Sequence, residues 1–484
     1  GAFALADVTT GANNVALGYG AMSSANSGES KNVAVGHLTL NLMDSATDNF
    51  NTAVGYEAGK TITTGIKNTL VGGSAGDALT TGVQNVAIGY EALSGEDTGS
   101  KSIAIGAFAL RAQNFDGDAY NVAIGHDTGK AISTGVQNTV LGARALQANT
   151  VGADNVAIGY QALFTNVDGS RSIAIGTNAL LAQEPASAVE MHNVAIGYSA
   201  GTAVTTGTAN TIIGGLAGDA LTSGSANVAI GKDSLSACID GDFNTAVGFE
   251  ALEDYDDGDG NGHNTAIGSQ SQRQATTGEF NTSLGSLSMG TGITTGDYNV
   301  GLGYKALEVV TSGSHNIGLG TGAGGALTTG GENVLIGINA GLAIVSANNN
   351  IAIGHEALKT NIDGDSNVAI GYESLKTLEP SDGHSYNVAI GHQSGKSMTT
   401  AINNTLVGGL AGDAITSGGN NTVLGYDALG ANTVGNSNVA IGKDAIKTNV
   451  AADKNVAVGL GALQAMTSAT TLDTHNTAVG FNAG

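Results

Sequence analysis

A five-residue word, Asn-(Val/Thr/Ile)-Ala-(Ile/Val/Leu)-Gly, recurs along the whole chain and constrains its fold more than any other feature. The word occurs 27 times in 484 residues, and 18 of the 26 intervals between successive words are 17 residues long. A unit of 17 residues cannot bury a core of its own, so each unit must stack on its neighbours. The sequence therefore predicts an all-β fold, a parallel β-solenoid of about 27 coils with a 17-residue repeat. We expect residues 1–484 to form one continuous repeat region.

The word has the composition of a β-strand and is too short for a helix. Its fourth position is Ile, Val or Leu in all 27 copies, and its fifth position is always glycine. Most units carry a second glycine near position 15, as at Gly65 and Gly82. Each unit is therefore predicted to run strand, turn, strand, turn.

Asparagine opens the word in 25 of its 27 copies. Stacked asparagine side chains form amide ladders in layered β-structures, and we expect such a ladder here. The predicted structural residues are Asn51, Asn68 and Asn85, together with the word glycines Gly55, Gly72 and Gly89.

The third word position is informative because it should face away from the second and the fourth. It is Ala in 18 words, is otherwise Gly, Ser or a larger apolar residue, and is never charged. A strand that is apolar on both faces needs cover on both, which a single coil does not supply. Taking the third position as outward, we expect two further copies of the chain to cover it in a homotrimer. The alternative is a monomeric solenoid with an exposed face of Ala and Gly.

Composition narrows the functional classes. With 17 basic against 41 acidic residues the net charge is −24, so nucleic acid is a poor partner. The sequence contains no uninterrupted run of 18 apolar residues, so membrane insertion is not predicted. Enzyme activity and a bound cofactor are not expected, because Ser, His and Asp recur at fixed unit positions whereas an active site needs one singular arrangement.

Words such as Asn85–Gly89, followed by Tyr90, and Asn193–Gly197 resemble the head repeats of YadA-like trimeric autotransporter adhesins. They are equally similar to the Asn-Thr-Ala-Val-Gly-Tyr-x-Ala-Leu repeats of phage tail fibres. The resemblance covers essentially the whole chain. It implies a homotrimeric, left-handed parallel β-roll in an extracellular fibre that attaches to a host.

The two ends of the sequence fall inside a coil, with Gly1 at unit position 5 and Gly484 at position 9. Solenoids need polar capping units, so we expect this chain to be an excerpt of a longer fibre protein. End-to-end stacking of subunits is the alternative, because bare terminal coils present unpaired backbone groups.

Aromatic and histidine rings gather at both ends of the word. Eight of the 12 Tyr and four of the nine His occupy position 6, and a second set directly precedes the asparagine. One interpretation is that these rings cover the core or stack between coils, and another is a pH-responsive histidine column. A third is contact with a host cell-surface glycan or protein. The candidate contact residues are Tyr90, Tyr160, Tyr198, Tyr120, Tyr386 and His192.

The loop at residues 254–262 contains Asp-x-Asp-x-Asn-Gly, the first half of a calcium-binding loop. Asp257, Asp259 and Asn261 are the candidate metal ligands. The competing interpretation is a solvated acidic turn, because Gly268 stands where an EF-hand carries its bidentate glutamate.

Together these features predict a structural, adhesive fibre segment, the trimeric shaft or head of a phage tail fibre at the virion surface. A bacterial surface adhesin or extracellular filament subunit is the alternative in the same class. A flat solenoid face also suits ice binding, for which the threonines near position 14, among them Thr64, Thr81 and Thr134, are the candidates.

Overall fold

A computed structural model describes residues 1–25, 28–256, 258, 261–380, 383–468 and 470–484. The chain forms an all-β parallel solenoid of about 27 coils with a repeat of about 17 residues, as the sequence predicts. It divides into two compact units, Gly1–Phe243 and Asn244–Gly484. Each unit is a stack of coils built on a parallel sheet.

Each coil contributes one three-residue strand, formed by positions 2 to 4 of the word. The strands of the first unit are β1 Val15–Leu17, β2 Val33–Val35, β3 Thr52–Val54, β4 Thr69–Val71, β5 Val86–Ile88, β6 Ile103–Ile105, β7 Val122–Ile124, β8 Thr139–Leu141, β9 Val156–Ile158, β10 Ile173–Ile175, β11 Val194–Ile196, β12 Thr211–Ile213 and β13 Val228–Ile230. The strands of the second unit are β14 Thr245–Val247, β15 Thr265–Ile267, β16 Thr282–Leu284, β17 Val300–Leu302, β18 Ile317–Leu319, β19 Val334–Ile336, β20 Ile351–Ile353, β21 Val368–Ile370, β22 Val388–Ile390, β23 Thr405–Val407, β24 Thr422–Leu424, β25 Val439–Ile441, β26 Val456–Val458 and β27 Thr477–Val479.

Successive strands within each unit pair in parallel and in register, so each residue lies beside the same word position of the next coil. The turns continue this ladder in both directions. The N–H of Glu91 donates to the carbonyl of Gly73 in the preceding coil at 2.9 Å, and the N–H of Leu93 donates to Ala109 in the next coil at 2.9 Å. The predicted second strand of each unit is wrong. In the described residues, turn hydrogen bonds and a few isolated bridges hold that half of the coil.

The third word position faces the interior of its own coil. Ala87 is fully buried within the single chain, together with Ala92 and Leu93 from the turn of the same coil. The prediction that sister chains cover this position is therefore wrong, because the coil's own turn packs against it. Small side chains prevail there because a 17-residue coil leaves little space between its strand and its turn.

In the interior, a large side chain at word position 3 coincides with glycine at unit position 9. Where position 3 is Leu70, position 9 is glycine in the same coil and in the preceding one, at Gly76 and Gly59. A Cβ on Gly59 would lie 2.7 Å from one methyl carbon of Leu70, and a Cβ on Gly76 would lie 3.0 Å from the other. The coil around Ala87 instead carries Leu93 at position 9, so a large side chain enters from one wall or the other.

Asparagine at position 1 links each coil to the next. The Oδ1 atom of Asn51 accepts the backbone N–H of Asn68 at 2.9 Å, and Oδ1 of Asn68 accepts that of Asn85 at 2.9 Å. The Nδ2 atom of Asn68 donates to the carbonyl of Gly82 within its own coil at 2.9 Å. Each buried amide therefore holds two coils in register and also closes its own coil.

Ser102 and Ser172 open the two words that lack asparagine, and both coils carry glutamine at position 12, which no other coil does. Nε2 of Gln113 donates to Oγ of Ser102 at 2.8 Å, and its Oε1 accepts Nδ2 of Asn121 at 2.9 Å. Gln183 bridges Ser172 and the next word's asparagine in the same way. The glutamine thus supplies, from the opposite wall, the amide that serine lacks.

Glycine at position 5 is required by the approach of the next coil. Gly72 has a φ of 141°, which residues other than glycine rarely adopt. A Cβ at this residue would lie 2.3 Å from the carbonyl oxygen of Gly89. Gly55 has the same conformation, and its Cβ would lie 2.3 Å from the Gly72 oxygen. The word glycines therefore set the distance between coils.

We expect Gly72→Ala to destabilise the strands beside it by about 2 kcal/mol or more, because it combines an unfavourable φ with a backbone clash. Hydrogen exchange of the β4 and β5 amides measures this. The adjacent Gly73→Ala is the matched control, since a Cβ there meets only a tyrosine ring at 3.4 Å. Equal protection in the two variants would contradict the argument.

We expect Gln113→Leu to cost roughly 1–3 kcal/mol, because it removes the amide partner of the buried Ser102 hydroxyl and leaves Asn121 Nδ2 with only its hydrogen bond to the Gly135 carbonyl. A double-mutant cycle with Ser102→Ala isolates the pair. The double variant should be less destabilised than the sum of the single variants, whereas strict additivity would show that the two side chains do not interact.

Candidate functional site

Positions 2 and 4 of the word form two columns on the outer face of the sheet in each unit, which we call the outer sheet face. Position 4 is always apolar, whereas position 2 is threonine in 10 of the 27 words and Val or Ile in the others. Two side chains from each of 13 strands lie on it in the first unit, and two from each of 14 in the second. None of them is charged. Ile88 is 36% exposed, Leu141 46% and Leu424 49%, so the described part of the chain leaves this face open to solvent. Contiguous apolar surface of this extent typically marks an interaction site.

The rings at position 6 stack from coil to coil and form what we call the ring column. His37 lies between Tyr19 and Tyr56, with ring centroids 5.3 and 5.2 Å apart and planes within 12°. The second unit repeats this arrangement with His355, Tyr372 and His392. For these rings the stacking interpretation is confirmed, and the central rings His37 and Tyr372 have both faces covered.

A second stack lies directly before the asparagine column. Its four rings have centroids 5.0 to 5.1 Å apart and belong to His263, Phe280, Tyr298 and His315. Such pairs stabilise aligned coils by about 0.5–1.5 kcal/mol each. The rings at both ends of the strand therefore reinforce the same register that the asparagines set.

The six candidate contact residues lie in six different coils and do not line one common pocket. Tyr90 meets Phe108 edge to face at 5.5 Å. The Tyr120 hydroxyl accepts Nζ of Lys101 at 3.0 Å. Tyr198 is 61% exposed. The first two are thus engaged with neighbouring coils, while Tyr198 presents most of its ring to solvent.

The other three candidates also lie at exposed corners. His192 sits 3.2 Å from the carboxylate of Glu190. Tyr386 stacks on His384 at 5.4 Å, and Tyr160 is about half exposed. These positions give several separated contact points along a surface, which suits weak repeated contacts better than one enclosed site.

Of the candidate calcium ligands, Asp257 and Asp259 lie outside the described residues, and Asn261 is exposed. Among the residues that the structure describes, no group of three or more His, Cys, Asp or Glu side chains is placed to hold a metal ion. The calcium site therefore stays a prediction from the sequence, since two of its three candidate ligands lie outside the described residues.

In the coils around Glu373, acidic side chains at position 7 lie beside a column of lysines at position 10. Glu373 accepts Nζ of Lys376 at 2.6 Å, Nζ of Lys396 at 2.7 Å and Nε2 of Gln393 at 2.8 Å. These hydrogen bonds hold the pKa of Glu373 far below its ordinary value of 4.5. Stacking brings Glu356 next to Glu373, and the lysines of the neighbouring column offset that repulsion.

Comparison with protein-family models gives no match for this chain, and comparison with curated proteins gives no significant match. Within the described segments there is no helix long and apolar enough to cross a membrane.

The Glu373 cluster gives a pH-dependent term in stability. Because the folded pKa lies below the unfolded one, its contribution is present above pH 4.5 and declines as the pH falls below that value. We expect Glu373→Gln to lower the free energy of unfolding by about 1 kcal/mol at neutral pH, since its lysine partners are partly exposed. The difference from the unmodified protein should shrink on acidification.

Urea denaturation at several pH values measures this difference. Glu332→Gln, at an exposed carboxylate of the same unit, is the control and should stay within about 0.5 kcal/mol of the unmodified protein at every pH. A Glu373→Gln effect that grows towards low pH would contradict the assignment.

Proposed function

We propose that the chain is a structural segment of an extracellular adhesive fibre in which three copies associate through their outer sheet faces. The observation that carries this proposal is the open apolar face itself. Stable protein interfaces use roughly 20–30 residues a side, which is about the number of outward strand side chains in one unit. The face thus offers enough surface for a permanent interface.

Another copy of the chain is the partner that suits this face best. Side chains in these columns repeat at the inter-strand spacing of about 4.8 Å, so they align along their length with a surface of the same spacing, which a sister chain provides. Two chains that each carry a net charge of −24 repel one another, but the outer sheet face is uncharged. It is therefore the surface on which two copies meet with least electrostatic cost.

The attachment role follows from repetition. A stack of identical coils places its exposed corner residues at regular intervals, so weak contacts with a cell surface add by avidity. The resemblance to phage tail-fibre repeats favours a virion fibre, and a bacterial surface adhesin uses the same architecture. In both settings the fibre is extracellular and needs no enzymatic step.

Replacing two outward isoleucines by lysine tests the association. We expect the unmodified protein to sediment at three times the chain mass. Ile88→Lys with Ile124→Lys should weaken association by at least about 100-fold, because like charges facing each other across an interface cost several kcal/mol. Analytical ultracentrifugation over a range of concentrations measures the mass.

Thr81→Lys with Thr134→Lys is the matched control, because it adds the same charge at exposed residues away from the outer sheet face. That variant should keep the mass of the unmodified protein. Sedimentation of the unmodified chain as a single copy would remove the basis of the proposal.

A further inference from the structure

The ring column is interrupted by glycine at three places. Position 6 is glycine only at Gly73, Gly215 and Gly409, and each belongs to a copy of one eleven-residue motif. The copies read GGSAGDALTTG at 72–82, GGLAGDALTSG at 214–224 and GGLAGDAITSG at 408–418. Position 6 carries no ring in 13 of the 27 words, and glycine at this position is a feature of the duplicated motif.

The backbone does not require glycine at these three positions. None of them has the left-handed φ found at position 5. A Cβ on Gly215 would meet nothing within 4 Å, and a Cβ on Gly409 would meet Cδ2 of Tyr426 at 3.5 Å, an ordinary contact. Neither strain nor crowding excludes a side chain there, so the structure tolerates a ring and the sequence omits it.

The omission leaves a gap with a ring on each side, which we call a ring slot. In the first unit, Tyr56 and Tyr90 occupy position 6 in the coils on either side of Gly73. The complete part of the same column shows what fits, because His37 fills the equivalent place between Tyr19 and Tyr56. Gly73 is the floor of this slot, and Tyr90 is its near wall, because Cδ2 and Cε2 of Tyr90 lie 3.4 and 3.8 Å from the place where a Cβ of Gly73 would be.

The first slot is edged by carboxylates. A hydrogen bond with Glu57 raises the pKa of the Tyr56 hydroxyl, and one with Glu91 raises that of Tyr90, to which the charge of Asp77 adds. An oxygen of Asp77 is buried with no hydrogen-bond partner among the described residues. Acceptors for hydroxyl groups therefore stand beside both walls.

The second slot repeats this arrangement in the other unit. His392 and Tyr426 flank Gly409, and Asp413 occupies the motif position of Asp77. Asp413 also has a buried oxygen with no partner among the described residues. Burial, and then the charge of Asp427, raise the pKa of Asp413. Two slots with the same floor and acid, each with a ring on both sides, indicate one kind of ligand.

We propose that the ring slots at Gly73 and Gly409 each bind the pyranose ring of a neutral sugar, stacked between the two rings with its hydroxyls donating to the adjacent carboxylates. This inference deepens the attachment role of the proposed function and rests on it. The C–H groups of a pyranose face carry slight positive charge and pack on the negative faces of aromatic rings. Glu57 is paired with Lys60 and Glu91 with Arg111, so the walls of the first slot carry nearly balanced charge, which suits a neutral sugar.

The slot at Gly215 differs from the other two in having one ring wall. Tyr198 lies on one side of it, and Lys232 occupies position 6 on the other. A sugar there stacks on a single face, so this site should bind more weakly. It provides an internal control for substitutions at the same unit position.

Filling the slots tests the inference. The probes are methyl β-D-glucopyranoside, methyl β-D-galactopyranoside and methyl α-D-mannopyranoside, titrated into the full chain and followed by saturation-transfer NMR and tyrosine ring shifts. We expect at least one of them to bind. Gly73→His combined with Gly409→His should reduce that affinity at least 10-fold, because each histidine completes the column as His37 does.

Gly215→His is the matched control and should change the affinity less than 2-fold. Tyr56→Ala with Tyr426→Ala gives a second variant, which removes a wall from each slot without adding bulk and should also lose binding. Absence of binding by all three sugars, undiminished binding by the filled or wall-less variants, or a preference for sialyllactose would each overturn the inference. The sedimenting mass of the same samples reports the proposed association separately.

Discussion

The coils approach one another so closely at word position 5 that a hydrogen atom, and no side chain, fits between them. A Cβ on Gly72 would clash with the carbonyl oxygen of Gly89, and a Cβ on Gly55 would clash in the same way with the carbonyl oxygen of Gly72. Only at this distance do the three-residue strands pair and the amide of Asn68 bridge to Asn85. A larger distance between any two neighbouring coils would break the strand pairing, the amide ladder and the turn hydrogen bonds between them at the same time.

In-register stacking places the same unit position of successive coils in one column. Each interaction between neighbouring residues of a column therefore recurs along the stack. Apolar residues gain by it, and interior asparagines satisfy one another along the stack. Charged residues lose unless a column of opposite charge lies beside them, as Lys376 and Lys396 lie beside Glu373. The same rule makes the position-4 column of the outer sheet face apolar along each unit, so that the apolar surface it exposes grows with the number of coils.

The coil period, the strand position and the parallel register could be predicted from the word alone, because an invariant glycine after an apolar triplet leaves few alternatives. Which residues of the triplet face the interior of the coil could not be predicted from the sequence. Position 3 is Ala in 18 words and position 4 is always apolar, and the small size of Ala87 is compatible with close packing between chains as well as within one. It reflects the narrow interior of one coil, where Leu93 fills the space opposite. The signal that was missed is the exchange of volume between positions 3 and 9, where Leu70 coincides with Gly59 and Gly76.

The second strand was overpredicted for a related physical reason. Turn residues such as Leu93 adopt a left-handed φ of 53°. The conformational preferences of leucine do not predict this, because residues with a Cβ rarely adopt the left-handed region. The inter-coil hydrogen bond from its N–H offsets that cost. The pairing of Ser102 with Gln113 likewise becomes interpretable only when the two walls of the coil are known to face each other.

The glycines at positions 5 and 6 are identical in the sequence, yet opposite causes place them there. Gly72 is fixed by the backbone, whereas Gly73 has room for a side chain and an ordinary φ. A glycine that the fold does not demand, repeated with the same motif in both units, is best explained by the space it leaves. That space opens at the corner of the coil, beyond the strand residues that form the outer sheet face. Association of copies and capture of a ligand would therefore use different surfaces, and an assembled fibre would present several slots at once, where avidity compensates for the weak binding of each.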